Sequence, residues 1–279
     1  MYPKFNLYSN YEQFNHLHAP RYFDWTKNYT GCIHFFVDDY VKIHYGFGAN
    51  DGKPRVAMLI EPRTIQPTIY EWVEQHHDEF DIIFSHDETI LSLENAKPIF
   101  FAQWYKSYDV PKTKTISMVC SDKAMCDEHK ARMKLADILG DKVDHYGMHK
   151  GGRRCDYYEC RAEYMFEVVV DNNWTGYWVS EKLMNPLASK TIPIYLGGKY
   201  LPDWIEKNGI IIAQDINEIP KLVDKILENP EKIYRVKREW IEKNFETLVT
   251  HSATQVFEDW LWTEYLYLLE ELVDGHSIS

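Results

Sequence analysis

Short apolar runs, several of them continuous and rich in β-branched residues, recur along this chain, separated by stretches whose apolar residues follow helical spacing. The runs fall at residues 32–37, 55–60, 81–84, 98–102, 115–120, 166–170, 191–196 and 209–213. A strand with one wet face alternates apolar and polar side chains. A continuously apolar run belongs to a strand covered on both faces, as in a parallel sheet flanked by helices. Between the runs, Ile219, Leu222, Val223, Ile226 and Leu227 occupy the i, i+3, i+4, i+7 and i+8 positions of one helix. Ala131, Leu135, Ile138 and Leu139 do the same over about 122–139, where Gly140 marks the end. Residues 251–273, rich in Trp, Tyr and Leu, predict a third, long helix. The alternation specifies an α/β chain.

A length of 279 residues admits one large domain or two of ordinary size. The polar, Pro-bearing segment 108–114 lies between two strand candidates and reads as an interdomain linker. It places a boundary near residue 112, giving domains 1–112 and 113–250. The hydrophobic share of 45% excludes a disordered chain, and the net charge of -12 opposes the broad basic face of a nucleic-acid binder. A phosphorylated ligand is still compatible, provided a few cations converge locally. The high aromatic content suits sugar platforms but serves core packing equally well.

No apolar run approaches the length of about 20 residues that spans a bilayer. Met1 to Asn6 lack a basic region followed by an apolar one. The five cysteines include no CxxC pair, and Cys155, Cys160, His145 and His149 do not have structural-zinc spacing. The expectation is a cytoplasmic protein with reduced thiols, soluble or peripherally associated with a membrane.

Chemistry concentrates between residues 164 and 198. A strand over 166–170 runs into Asp171-Asn172-Asn173, a Gly-containing loop follows, and a helix begins near Ser180, whose hydroxyl suits an N-cap. Glu181 and Lys182 then sit in the first turn, at the carboxyl end of a strand, where open α/β sheets bind ligands. A pyrophosphate there would meet the helix terminus and the Lys182 ammonium, and Glu181 would accept bonds from ribose hydroxyls. An ordinary solvated helix start fits these residues equally well.

Several separated elements add register to that reading. Tyr164-Met165-Phe166, Asp171-Asn172, Trp178-Val179-Ser180-Glu181-Lys182 and Thr191-Ile192-Pro193-Ile194-Tyr195-Leu196-Gly197 together resemble the signature of the α-1,3/1,4-fucosyltransferases. Upstream, Val119-Cys120-Ser121, His129-Lys130-Ala131-Arg132 and Val143-Asp144-His145-Tyr146-Gly147 are similar to that family's strand, its Arg-bearing helix and its next strand. Downstream, Asp215 and Asn229-Pro230-Glu231 also fit. The likeness is good over about 115–240 and weak over the first 110 residues.

The resemblance implies a GT-B fold, in which two Rossmann-like domains face one another across a cleft and the final segment, 251–279, returns to the N-terminal domain. It implies an inverting transfer of fucose from GDP-fucose to a hydroxyl of an oligosaccharide acceptor, with no obligatory metal or cofactor. By the same likeness Arg132 grips the donor diphosphate, which a guanidinium can do bidentately. Lys182, Glu181, Trp178 and Asn172 also bind the donor, with Asp171, Tyr177, Arg153 and Arg154 as further candidates. Glu61, which ends the 55–60 run and precedes Pro62, is the expected general base, and Asp38-Asp39 is the competing acidic pair. Lacking an intervening residue, that pair is a poor DxD-type metal element.

Departures cluster at the donor positions. Asp171 replaces a family Glu, Trp178 replaces a Tyr, and Met148 stands where an Arg is common, with Arg153 and Arg154 nearby as substitutes. They leave room for another nucleotide sugar. A catalytically silent carbohydrate-binding relative is the alternative from a different class, opposed by intact Arg132, Glu181 and Lys182. The absence of a stem or heptad repeat in the chain resembles compact bacterial or viral members.

Overall fold

Both-face burial of the apolar runs is realised in two all-parallel sheets. The computed structural model describes residues 3–10, 22–26, 30–43, 51–100, 106–149, 156–250 and 253–277. It divides into two compact units, Met1–Phe101 with Ala253–Ser279, and Ala102–Ser252. The first unit holds β1 (Lys4–Tyr8), β2 (Asp24–Thr26), β3 (Ile33–Val37), β4 (Arg55–Met58), β5 (Ile82–Ser85) and β6 (Ala96–Pro98), in the order β2-β1-β3-β4-β5-β6. The second holds β7 (Lys114–Val119), β8 (Asp144–Tyr146), β9 (Tyr164–Val170), β10 (Ile192–Leu196) and β11 (Ile211–Ile212), ordered β11-β10-β9-β7-β8. Every residue of β3, β9 and β10 is buried. In the second unit β9 is central, paired with β10 through Val168↔Ile194 and with β7 through Val168↔Met118.

Strands β1 and β2 of the first sheet lie wholly outside the apolar runs of the sequence. In β1 the polar Asn6 is fully buried, because its amide donates to Gly31 O (3.3 Å) and accepts from Gly31 N (2.7 Å). A partner 25 residues distant makes that position tolerable. The last strand of this sheet lies at Ala96–Pro98 rather than 98–102. Pro98 ends it on the sheet edge, where a missing N–H costs no ladder bond; residues 101 and 102 lie outside the described residues.

The boundary also moves, from near residue 112 to Phe101/Ala102. Segment 106–113 is anchored in the second unit. Tyr108 N–H donates to Ala188 O at 3.1 Å, and Asp109 pairs with Lys190 at 2.8 Å. The Lys112 ammonium spends its three donors on Ala162 O (2.6 Å), Ser189 O (2.5 Å) and Thr191 Oγ1 (3.0 Å). The helix Ala253–Ser277 contributes Leu261, Tyr265 and Leu269, at i, i+4 and i+8, to the core that contains Phe5, Phe35 and Phe84. Its Glu258 accepts from Trp25 Nε1 at 2.8 Å, and Tyr265 Oη donates to Pro98 O at 3.2 Å.

Two features of the second unit bear on its site. The helix α1 (Asp127–Leu139) starts later than residue 122, and Gly140 stops it at φ +49°. Inside β9, Glu167 is buried against Arg161 from the π-helical turn Tyr158–Ala162, with Nε–Oε2 and Nη2–Oε1 distances of 3.0 and 3.1 Å.

Candidate functional site

In the second unit, Asp171 follows β9 directly and is fully buried. Its carboxylate accepts from Ser180 Oγ (3.0 and 2.8 Å) and Asn172 N–H (3.0 Å), and pairs with Lys182 Nζ at 3.5 Å. Ser180 caps the helix α2 (Glu181–Leu187), accepting from Lys182 N–H at 3.2 Å. The expected helix start is therefore present, with Asp171 holding the cap and the lysine from behind. The helix has only seven residues and contains Pro186, so the positive charge here comes from side chains more than from a macrodipole. Burial works against the Lys182 ammonium, but Glu181, 3.2 Å away, and Asp171 outweigh it and raise the pKa.

Arg132 reaches the same strand end from α1. It is 4% exposed, donates from Nη1 to Val170 O at 2.8 Å, and leaves a buried Nε without a hydrogen-bond partner. One turn earlier, His129 is also 4% exposed, with an unpartnered Nδ1. Burial, then Arg132 and Lys182, push its pKa down to about 4, so the imidazole is neutral. A buried polar atom left unpaired costs about 1–3 kcal/mol. Of the two, the Arg132 Nε–H is a fixed donor, and beside the Lys182 ammonium it suits a ligand rich in acceptors.

The aromatic candidates separate. Trp178 is 8% exposed, and Gly198 in the chain that follows β10 lies close to its backbone. A Cβ at Gly198 would lie 2.1 Å from Trp178 O, and one at Gly197 would lie 2.1 Å from Tyr195 Oη, so both positions need glycine for close approach. Tyr177 and Tyr200 are more open, with ring centroids 4.6 Å apart. Of the aromatic rings here, the tyrosine pair is the more exposed and Trp178 the more buried. Asn172 is 9% exposed beside Asp171. Arg153 and Arg154 lie outside the described residues.

The acidic candidates belong to the first unit, after β3 and β4. Asp38 is 3% exposed, and its carboxylate accepts N–H bonds from Ile60 (2.8 Å) and Glu61 (3.1 Å). Asp39 is exposed at the start of the short helix Asp39–Lys42. Glu61 is half-buried, and its carbonyl accepts from Tyr70 Oη at 2.6 Å. Tyr70 also meets His86 Nε2 at 3.0 Å. Arg63 binds Asp87 through two bonds of 2.8 and 2.7 Å and Glu74 at 2.7 Å. Among the described residues no group of three or more His, Cys, Asp or Glu could hold a metal ion.

His86 makes this loop sensitive to acid. It is 3% exposed, and burial lowers its pKa to about 4 from an ordinary 6.5. Between those values the unfolded chain binds more protons than the folded one. The stability contribution is therefore complete above pH 6.5 and is lost as the pH falls toward 4, by about 3 kcal/mol. Urea unfolding at pH 7 and pH 4.5 should show this loss, and His86→Gln should flatten the dependence.

Residues 101–267, more than half of the chain, match the family described as glycosyltransferase family 10 (fucosyltransferase), C-terminal part. The chain belongs to this family. Crystal structures of an α1,3-fucosyltransferase with GDP and with GDP-fucose match with TM-scores of 0.56 and 0.52. They cover 97% and 98% of this chain and 90% of theirs, at 15% and 14% identity. S. aureus TarM, crystallised with UDP among its ligands, matches at TM-score 0.53 and 14% identity, over 82% of this chain and 54% of that one. Together these likenesses show a GT-B fold.

Among curated proteins, GDP-fucose protein O-fucosyltransferase 3 of Danio rerio is 30% identical over 77 residues, and that of Homo sapiens 25% identical over 87. The matches cover 28% and 30% of this chain but only 17% and 18% of those proteins. Within this family 10 chain, the motif at Ser180 to Lys182 and the arginine at 132 sit at one strand end. His129 was legible only as part of the segment that leads to Arg132, and Tyr70 and His86 carried no signal. No helix among the described residues is long and apolar enough to cross a membrane.

Proposed function

We propose that this family 10 glycosyltransferase transfers L-fucose from GDP-β-L-fucose to a hydroxyl of an oligosaccharide acceptor, in α-1,3 linkage and with inversion. The observation that carries the reading is the placement of Arg132 and Lys182, anchored on the consecutive residues Val170 and Asp171. Two fixed cations there would offset the charge that develops on a departing diphosphate. Glu181, Trp178 and Asn172 would position the nucleotide, with Tyr177 as a further contact. In the transfer, the acceptor oxygen bonds to the anomeric carbon as the carbon–phosphate oxygen bond breaks on the opposite face. The hydroxyl proton passes to Glu61. The reading requires no metal, since the cations are the protein's own.

A second reading, transfer from another nucleotide sugar, is favoured by Trp178 at a family tyrosine position and by the UDP in the TarM crystal. A thermal-shift panel separates the two. At a hundredfold excess over Kd, GDP should stabilise the fold by about 2.7 kcal/mol, and UDP and CDP should not. Lys182→Ala should remove most of that shift. Stabilisation by UDP instead would overturn the GDP-fucose reading, and silence toward all three would favour a protein without transferase activity. GDP release measured with GDP-fucose and oligosaccharide or hydroxyl-bearing peptide acceptors then tests the acceptor class. Release with peptides alone would replace the oligosaccharide assignment.

A further inference from the structure

Glu61 is held by its backbone more firmly than a loop residue usually is. Its N–H donates to the Asp38 carboxylate at 3.1 Å, and its carbonyl accepts from Tyr70 Oη at 2.6 Å. Pro62 follows and narrows its φ/ψ choice further. Asp38 is itself constrained, at φ 48° and ψ -111°, with its own N–H on Met58 O at 3.1 Å. A positive φ at a non-glycine residue costs about 1–3 kcal/mol and persists where the surroundings over-determine it. Here the carboxylate bonds to Ile60 and Glu61 supply that determination.

Tyr70 is fully buried and has one hydroxyl proton, which it donates to Glu61 O. Its contact with His86 Nε2 at 3.0 Å must then run the other way, with the imidazole N–H donating to the phenol oxygen. That assigns the His86 tautomer and makes a directed relay from His86 to Tyr70 to the Glu61 backbone, closed on the other side by Asp38.

The geometry points to Asp38, Tyr70 and His86 as positioning residues that fix Glu61 for proton abstraction. The inference rests on the proposed role of Glu61 as base. Misplacing a reacting group by about an ångström costs up to a hundredfold in rate. Tyr70→Phe keeps the ring and removes only the hydroxyl, so kcat should fall about ten- to a hundredfold. The KM for GDP-fucose and the GDP-induced thermal shift should stay unchanged. Asp38→Asn, whose Oδ1 still accepts a backbone N–H, should retain more of kcat than Asp38→Ala.

Unaltered kcat in Tyr70→Phe overturns the inference. So does a parallel fall in kcat and GDP affinity, the mark of general loosening. Glu61→Gln separates the two levels of the argument. If it abolishes transfer while Tyr70→Phe is unaffected, only the positioning role fails; if it leaves transfer unchanged, the base assignment fails and the positioning role with it.

Discussion

Glu61→Gln is expected to leave GDP binding intact and to slow transfer by roughly 10²- to 10⁴-fold, the usual contribution of a positioned general base. The glutamine keeps the length and the backbone bonds to Asp38 and Tyr70 but cannot take the acceptor proton. The loss corresponds to about 3–5 kcal/mol of transition-state stabilisation. Single-turnover measurements with saturating donor would place it in the chemical step. If the variant transfers at the unmodified rate, the base lies elsewhere, and exposed Asp39 is the next carboxylate to remove. Asp38 is a weaker choice, because its carboxylate already accepts two backbone N–H groups.

Glu167→Ala is expected to cost about 3–5 kcal/mol of folding stability, a large part of the 5–15 kcal/mol typical of a folded domain. Glu167 and Arg161 are 3% and 5% exposed and share two near-parallel bonds. Removing the carboxylate leaves a guanidinium buried against a wholly buried strand. The damage arises from the orphaned charge more than from lost attraction. Arg161→Met combined with Glu167→Leu should therefore recover much of the loss. Urea unfolding of the single and double variants checks both statements, and a single-variant loss below about 1 kcal/mol would mean that water reaches the pair.

The central strands were readable because most of their residues are apolar on both faces, a property of local sequence; Glu167 inside β9 is an exception that Arg161 makes tolerable. The capped start at Ser180 was readable for the same reason, since cap, lysine and preceding strand lie within a dozen residues. Strand β1 was not, because burial of Asn6 depends on Gly31. Tyr70 and His86 were invisible because only the fold brings them to each other and to Glu61. Trp178 reads from the sequence as an aromatic beside a binding motif, and its burial, with Gly198 packed close on its backbone, is visible only in the fold.

The helix Ala253–Ser277 completes the core of a unit that begins some 250 residues earlier. During synthesis, Leu261, Tyr265 and Leu269 leave the ribosome after all of the second unit. The apolar side of the first sheet near Phe35 and Phe84 must therefore wait, uncovered, while the contiguous second unit can already fold. The core of the first unit can therefore close only after the sequence of the second unit has been made, and apolar surface left open in that interval is aggregation-prone.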